Sequence, residues 1–298
     1  MKNKIIVIGS ANADMVIHTE RMPLLGETLM GSNFQINTGG KGLNQAVAIA
    51  KLGGDVSFLG SIGTDPNGEL LLKELEKNGI LFQGIQVSDC PTGIAMITVV
   101  GGDNFIVLES GANAKLTPEW ISEHKEIIEN SDYCVMQLEI PLKTIEKICE
   151  IALAANTKII LNPAPYKELP KTVLSCVDYL VPNEHETFNL TNVYPDTPEN
   201  CKKAIKVLKG SGVKNVVITL GERGCVYDTG NDIVFCSAKP TSVVDTTSAG
   251  DCFIGAFVAK LSKGDTIENS IAFAIKAAAI TVSREGASKS IPFASEIE

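Results

Sequence analysis

Lys4-Ile5-Ile6-Val7-Ile8-Gly9 holds a continuous apolar run, from Ile5 onward, at the head of a 298-residue chain. A strand with one wet face alternates polar and apolar side chains. An unbroken run reads instead as a strand buried on both faces, as a parallel sheet covered by helices requires. The segments downstream keep that rhythm. Residues 44–52 read as a helix with Gly53 as its stop, and 55–60 as a strand. Asp65-Pro66 supplies an N-cap with proline at the first helical position, and Gly79 ends that helix. Thr117-Pro118 opens another in the same way. Residues 133–138 read as a strand, 142–154 as a helix, 158–161 as a strand and 179–181 as a short strand. A helix at 198–209, a strand at 215–220 and two closing helices at 249–262 and 266–284 complete the pattern. Strands alternating with helices imply an α/β fold with a central, mostly parallel sheet flanked by helices.

Two stretches break the alternation. Residues 15–19 and 33–37 have strand character with no helix between them. Residues 93–100 and 104–109 are two more strands, joined by the hairpin signal Gly101-Gly102-Asp103. Strands without helices do not belong in a doubly wound core, so these four are expected to form a small separate β-sheet. Glycines at its junctions (Gly39-Gly40, Gly93, Gly111) suit a hinged lid. The expected division is a core of residues 1–11, 41–92 and 112–298 and a discontinuous lid of residues 12–40 and 93–111. No internal repeat, low-complexity tract or charge block is present.

Composition narrows the function. At about 150 residues per domain, the length suits two domains or one large α/β domain with an appendage. A hydrophobic content of 44% supports a sizeable core and excludes disorder. The 26 Lys and Arg against 35 Asp and Glu give a net charge of −9, which argues against nucleic-acid binding. A small anion is still admissible, because backbone amides and one or two local cations can bind it. No apolar run approaches the roughly 18–20 residues of a membrane span. Lys2 and Lys4 precede the apolar run, and Ala11-Asn12-Ala13 mimics a signal-peptidase site. The run is nevertheless far shorter than the about 7–15 residues a signal core needs. A cytoplasmic location is therefore expected. The eight cysteines contain no C-x-x-C pair and read as reduced, mostly buried thiols.

Several familiar signatures fail. His185-Glu186-Thr187-Phe188-Asn189 nearly reads H-E-x-x-H, but its last position is Asn189. Gly40-Lys41 resembles the end of a P-loop, yet Gly42 follows and Gln35 occupies the earlier glycine position. No G-x-G-x-x-G follows the first strand, and there is no G-x-S-x-G elbow. The three histidines offer few candidates for histidine-dependent hydrolysis.

Three segments hold. In Asp245-Thr246-Thr247-Ser248-Ala249-Gly250-Asp251, small residues run directly into a helix. Such a junction exposes unsatisfied backbone N–H groups whose dipoles favour an anion. Gly250 removes the side chain that would block close approach, and Asp251 falls in the first turn beside the anion. An anion hole next to a carboxylate is the minimal equipment for phosphoryl transfer to an alcohol. The alternative is an ordinary capped helix. In Asn37-Thr38-Gly39-Gly40-Lys41-Gly42-Leu43-Asn44-Gln45, clustered glycines let the backbone approach a ligand, and Lys41 and Asn44 can donate to hydroxyls. The alternative is a flexible turn before a helix. Ser10-Ala11-Asn12-Ala13-Asp14 lies at the carboxyl end of the first strand, where open α/β sheets bind ligands. Asn12 and Asp14 suit paired sugar hydroxyls, or else a capped turn.

Together these motifs resemble the ribokinase-type (PfkB) carbohydrate kinase family, from the first strand to Pro292. Residues 245–251 look like its C-terminal signature and 39–45 like its N-terminal one. Asn12-Ala13-Asp14 and Gln137-Leu138-Glu139 resemble the members that act on ribose. The resemblance implies a ribokinase-like fold, ATP-dependent phosphorylation of the 5-hydroxyl of D-ribose, Mg²⁺ dependence and activation by K⁺. It makes Asp251 the catalytic base, with Ser248, Ala249 and Gly250 lining the anion hole. Asn12, Asp14, Gly40, Lys41, Gly42, Asn44 and Glu139 would hold the sugar with Asp251. Asn183-Glu184-His185-Glu186 is similar to the family's N-x-x-E motif, giving Asn183 and Glu186 to the phosphates and magnesium. Thr219, Gly221, Glu222, Arg223 and Gly224 resemble the nucleotide loop, joined in that role by Asn183, Gly250 and Ile275. Asp245, Thr247, Thr281, Arg284, Gly286 and Ser290 would hold the potassium ion, mostly through carbonyl oxygens. The lid of such kinases often pairs two subunits, which implies a homodimer. Ser248 departs from the usual Ala or Gly, and Ile275 stands where a polar residue often borders the adenine. Two other readings are a kinase for deoxyribose, fructose or a nucleoside, and a non-catalytic sugar-binding regulator.

Overall fold

The computed structural model describes residues 4–101, 103–230 and 232–297. Among them, nine strands form the central sheet. Their spatial order is Ile233–Cys236, Cys225–Asp228, Asn215–Thr219, Tyr179–Leu180, Lys158–Leu161, Tyr133–Met136, Lys4–Ile8, Asp55–Leu59 and Leu81–Phe82. All neighbours pair in parallel except at the 215–236 end, where two antiparallel strands extend the sheet. The mostly parallel sheet flanked by helices is therefore as the sequence indicates.

The first strand explains why an unbroken apolar run is needed. Ile5 and Val7 pack on one face, against Lys41–Lys51, Ala249–Ser262 and Ile267–Val282. Ile6 and Ile8 pack on the other, against Leu142–Ala155 and Pro198–Gly210. All four side chains are buried. Full burial of such a side chain is worth about 1.5–3 kcal/mol, so both faces drive assembly. Asp65 and Thr117 cap their helices as read, each with Pro at the first position. The helix expected from residue 44 starts earlier, at Lys41. Gly42 hides that start from a propensity argument, but a Cβ there would lie 2.7 Å from the backbone of Gly9 and Ser10. Close approach between helix and strand end decides that position.

The four strands outside the alternation do form a separate sheet, in the order Ser32–Gly39, Asn12–Thr19, Gly93–Val100 and Asp103–Glu109. Val100 pairs with Asp103, giving the expected hairpin, although Gly102 lies outside the described residues. Asp14 sits opposite Asn37 on one side and Ala95 on the other. The junction glycines are sites of close contact. Gly40 has φ 88°, and a Cβ on it would meet the Asn12 nitrogen at 2.8 Å. Gly111 has φ 47°, and a Cβ on Gly93 would overlap Asn113 and Asn12. The small sheet also touches the C-terminal loop: Thr38 Oγ1 and Ser288 Oγ are 3.1 Å apart, and Lys289 Nζ donates to Asn37 Oδ1 at 3.2 Å.

Candidate active site

The carboxyl ends of the central strands converge on the start of the helix Ala249–Ser262. Its N-cap, Ser248, is left-handed with φ 61°, and no side chain caps it. The Ala249 N–H turns back to the Thr246 carbonyl at 3.2 Å. A Cβ on Gly250 would meet nothing within 4 Å, so the space over the helix start is open. Asp251 lies in the first turn, buried. Its Oδ1 accepts from Gln45 Nε2 at 2.9 Å and its Oδ2 from Asn44 Nδ2 at 3.3 Å. Burial pushes its pKa up, while the Lys41 ammonium and the Gln45 and Asn44 donors pull it back. The Ser248 hydroxyl accepts from Asn44 Nδ2 at 3.0 Å, which gives this departure from the family pattern a local role.

Opposite this helix start stand the residues expected to hold a sugar. Glu139 accepts from the Lys41 backbone at 3.1 Å and from the Ser10 hydroxyl. Asn12 Oδ1 accepts from Asn113 Nδ2 at 2.7 Å, and Asn113 Oδ1 accepts from the Ala11 backbone at 2.9 Å. Burial pushes the Asp14 carboxyl up to about 7, reinforced by Glu139 and Asp251. A Cβ on Gly39 would overlap that carboxylate, so glycine there makes room for Asp14. Gly40 and Gly42 serve close backbone packing in the same way. Burial alone lowers the Lys41 ammonium, but Asp251, Glu139 and Glu186 together hold its pKa above the usual value. Asn44 Oδ1 is buried with no protein partner, as an acceptor awaiting a ligand donor would be.

The nucleotide-side candidates are more engaged with one another. Asn183 caps the helix Glu184–Thr191 and forms a capping box with Glu186. Asn183 Oδ1 accepts from the Glu186 backbone at 2.8 Å, Glu186 Oε2 from the Asn183 backbone at 2.9 Å, and Glu186 Oε1 from Asn183 Nδ2 at 3.0 Å. Thr219 ends its strand and Gly221–Arg223 makes a short turn between two positive-φ glycines, Gly221 (55°) and Gly224 (93°). Glu222 is exposed. Arg223 is spent on Glu184 Oε1 (2.6 Å) and the carbonyls of Pro195 and Asp196, which ties this loop to the capped helix. Ile275 is buried in the core layer of the closing helices.

A second cluster joins the loops around 245 and 286. Asp245 Oδ1 accepts from the Thr247 backbone (2.8 Å) and hydroxyl (2.6 Å), and Oδ2 from the Gly286 backbone (3.0 Å). Burial raises the Asp245 pKa, but these three donors outweigh it and hold the group below the usual range. Thr281 Oγ1 donates to the Ala277 carbonyl at 3.0 Å, Ser290 Oγ to the Ala287 carbonyl at 2.8 Å, and Arg284 to Glu296 Oε1 at 2.5 Å. Sequence reasoning gave no role to Asn113, Gln45, Gln137 or Asn162. Gln45 and Gln137 lie inside quoted motifs, so a buried polar residue next to a candidate base was the available signal. Asn113 and Asn162 had none.

The model of the pfkB family of carbohydrate kinases matches residues 2–294. The chain belongs to that family. As a pfkB-type carbohydrate kinase it is an ATP-dependent transferase. It is 39% identical to a ribokinase of Staphylococcus aureus over 301 residues, covering 100% of this chain and 99% of the relative. It is 35% identical to a deoxyribokinase of Salmonella typhimurium, covering 97% and 95%. Among solved structures it resembles that of Arabidopsis thaliana ribokinase complexed with ribose and ATP, with TM-score 0.94 and 33% identity over 100% of this chain and 98% of that one.

Proposed function

We propose that this pfkB-type kinase transfers the γ-phosphoryl group of ATP to the 5-hydroxyl of D-ribose. The observation that carries this reading is the open helix start over Gly250 with Asp251 beside it, facing Asn12, Asp14, Lys41, Asn44 and Glu139. The amides at the helix start stabilise charge on the migrating phosphoryl group, and Asp251 accepts the hydroxyl proton. Burial raises the pKa of Asp251 and makes it a stronger base than an ordinary carboxylate, with Lys41 holding that rise back; even a moderate base suffices where the transition state is loose and the proton leaves late. Asp14 takes two vicinal hydroxyls at once, which favours ribose over a 2-deoxy sugar and over the deoxyribose reading. Residues 12–40 and 93–111 act as a lid that excludes water from the phosphoryl group.

For the nucleotide side, we assign the turn Thr219–Gly224, with Asn183, Gly250 and Ile275, to ATP. The donor sets fit the implied cations. Asn183 and Glu186 offer oxygen ligands, and a Mg²⁺ ion there would take most of its remaining ligands from substrate phosphates and water. That ion would neutralise phosphate charge. Asp245, Thr247, Thr281, Arg284, Gly286 and Ser290 offer a single carboxylate and otherwise neutral oxygens, a set suited to K⁺, whose charge would reinforce the helix start. Free cysteines fit a cytoplasmic location, and no helix among the described residues is long and apolar enough to cross a membrane. Exposed Phe34, Ile36, Met96, Ile106 and Leu108 on the small sheet support pairing with a second copy.

The test is ADP release from MgATP against ribose, 2-deoxyribose, fructose and nucleosides, with and without K⁺. Ribose preferred, with K⁺ stimulation, is the expected result. Equal kcat/KM for ribose and 2-deoxyribose overturns the role of Asp14. No turnover with any acceptor, in protein that still binds sugar, overturns the kinase assignment in favour of a regulator.

A further inference from the structure

We infer that Gln45 is the positioning residue of the phosphoryl-transfer base, and that Gln137 completes the relay by donating to the Gln45 carbonyl oxygen. This rests on Asp251 being that base. Gln45 and Gln137 are fully buried, at 0% exposure each. Gln45 projects from the helix Lys41–Lys51 and donates through Nε2 to Asp251 Oδ1 at 2.9 Å and to Asn162 Oδ1 at 3.4 Å. Its Oε1 accepts from Gln137 Nε2 at 2.6 Å.

The polarity of this relay is set from the carboxylate outward. Asp251 can only accept when ionised. Asn162 also presents an oxygen, because its Nδ2 is committed to the Val181 carbonyl at 3.0 Å. Two acceptors therefore demand the NH₂ end of Gln45. That leaves Gln45 Oε1 needing a donor, and only the NH₂ end of Gln137 answers it. The consequence is visible: Gln137 Oε1 is buried with no partner. It also stands where a Cβ on residue 9 would fall, so Gly9 is required to admit it. An orphaned buried acceptor is costly, and it persists here because turning Gln137 over would face two oxygens at Gln45.

The relay has a chemical use. A carboxylate at the third position of a helix can bend back onto the amides of its own helix start, as Glu186 does in its capping box. Asp251 doing so would occupy the donors that the phosphoryl group needs. Gln45 instead draws Oδ1 away from the helix start, so that Asp251 does not cap the Gly250 amide, and leaves Oδ2, which accepts from Asn44 at 3.3 Å, to meet the acceptor hydroxyl. The charged groups facing this site are Lys41, Glu139, Asp14 and Glu186, and none of them supplies a directional donor to Oδ1.

The experiment compares Gln45→Leu, Gln137→Leu and Asp251→Asn with the unaltered enzyme. The readouts are kcat against pH, the KM for ATP, ribose affinity by calorimetry and melting temperature. Removing a hydrogen bond to a charged group predicts a fall in kcat of about 10- to 100-fold for Gln45→Leu. The acid limb of its kcat profile should move up by about one pH unit, because the lost donor favoured the charged base. The KM for ATP should rise and ribose affinity change less than about threefold. Gln137→Leu keeps Gln45 in place and should shift the same limb in the same direction by less, so the relay remains testable if Gln45→Leu does not fold. A lowered melting temperature with an unmoved acid limb in the folded variants overturns the relay and makes both glutamines structural. Full turnover in Asp251→Asn overturns the base assignment itself, whatever the glutamines do.

Discussion

Two helices of this kinase carry an acidic residue at the same position, the third of the first turn, and use it in opposite ways. Glu186 closes its helix Glu184–Thr191 in a reciprocal capping box with Asn183. Asp251, in the helix Ala249–Ser262, caps nothing and is held by Asn44 and Gln45 from another helix. The first helix start is satisfied internally, so it can hold the chain in place and lend its remaining surface to a ligand. The second leaves Gly250 open and its carboxylate aimed by tertiary contacts. A helix N-terminus becomes reactive when its own side chains decline to cap it.

The largest expected effect breaks the open end. Asp251→Asn should lower kcat by about 10²- to 10⁴-fold, the usual worth of a general base, with ribose binding nearly unchanged by calorimetry. Gly250→Val comes next. Its side chain enters empty space, so melting temperature should hold while kcat/KM for ATP falls by at least about tenfold. A comparable loss of stability would show that the space was packed after all.

Asp14 gives a pH test at the same pocket. Its carboxyl is pushed up to about 7 by burial, then by Glu139 and Asp251, yet accepting two hydroxyls requires the ionised form. Ribose affinity measured without nucleotide should therefore weaken as pH falls below about 7, and binding should release a proton. The stability sign is opposite. The folded protein holds a proton here that the unfolded chain, with its carboxyl near 3.8, has already lost. Stability of the free enzyme should thus fall as pH rises between about 4 and 7, and Asp14→Asn should remove that part of the slope.

The smallest effect concerns the closed end. Asn183→Ala removes a cap worth about 1 kcal/mol, a fall of roughly 2–4 °C in melting temperature for a large domain. If the pair also serves the phosphates, KM for MgATP rises with it. A lowered melting temperature with unchanged KM would confine Asn183 to its helix.

Much of the architecture was legible because it follows from local rules. Unbroken apolar runs at 5–9 and 159–161, Asp65-Pro66 and Thr117-Pro118 each report their own structure within a few residues. The two antiparallel strands Cys225–Asp228 and Ile233–Cys236 were not legible, being short and attached to a glycine-rich turn. The candidate site was half legible. Small residues before Asp251 reported that helix start, whereas the glycines around Lys41 hid theirs and proved to serve close packing on residues 9–14.

By itself, then, the sequence determined the α/β alternation and the separate four-stranded sheet, because turn chemistry and hydrophobic period are written in neighbouring residues. Only the tertiary structure decided that Asn113 braces Asn12, that Ser248 holds Asn44, and that Gln137, Gln45 and Asn162 converge on Asp251. Those contacts join residues far apart in the chain. Their polarity depends on which end of each amide is already committed elsewhere, and no local pattern records that.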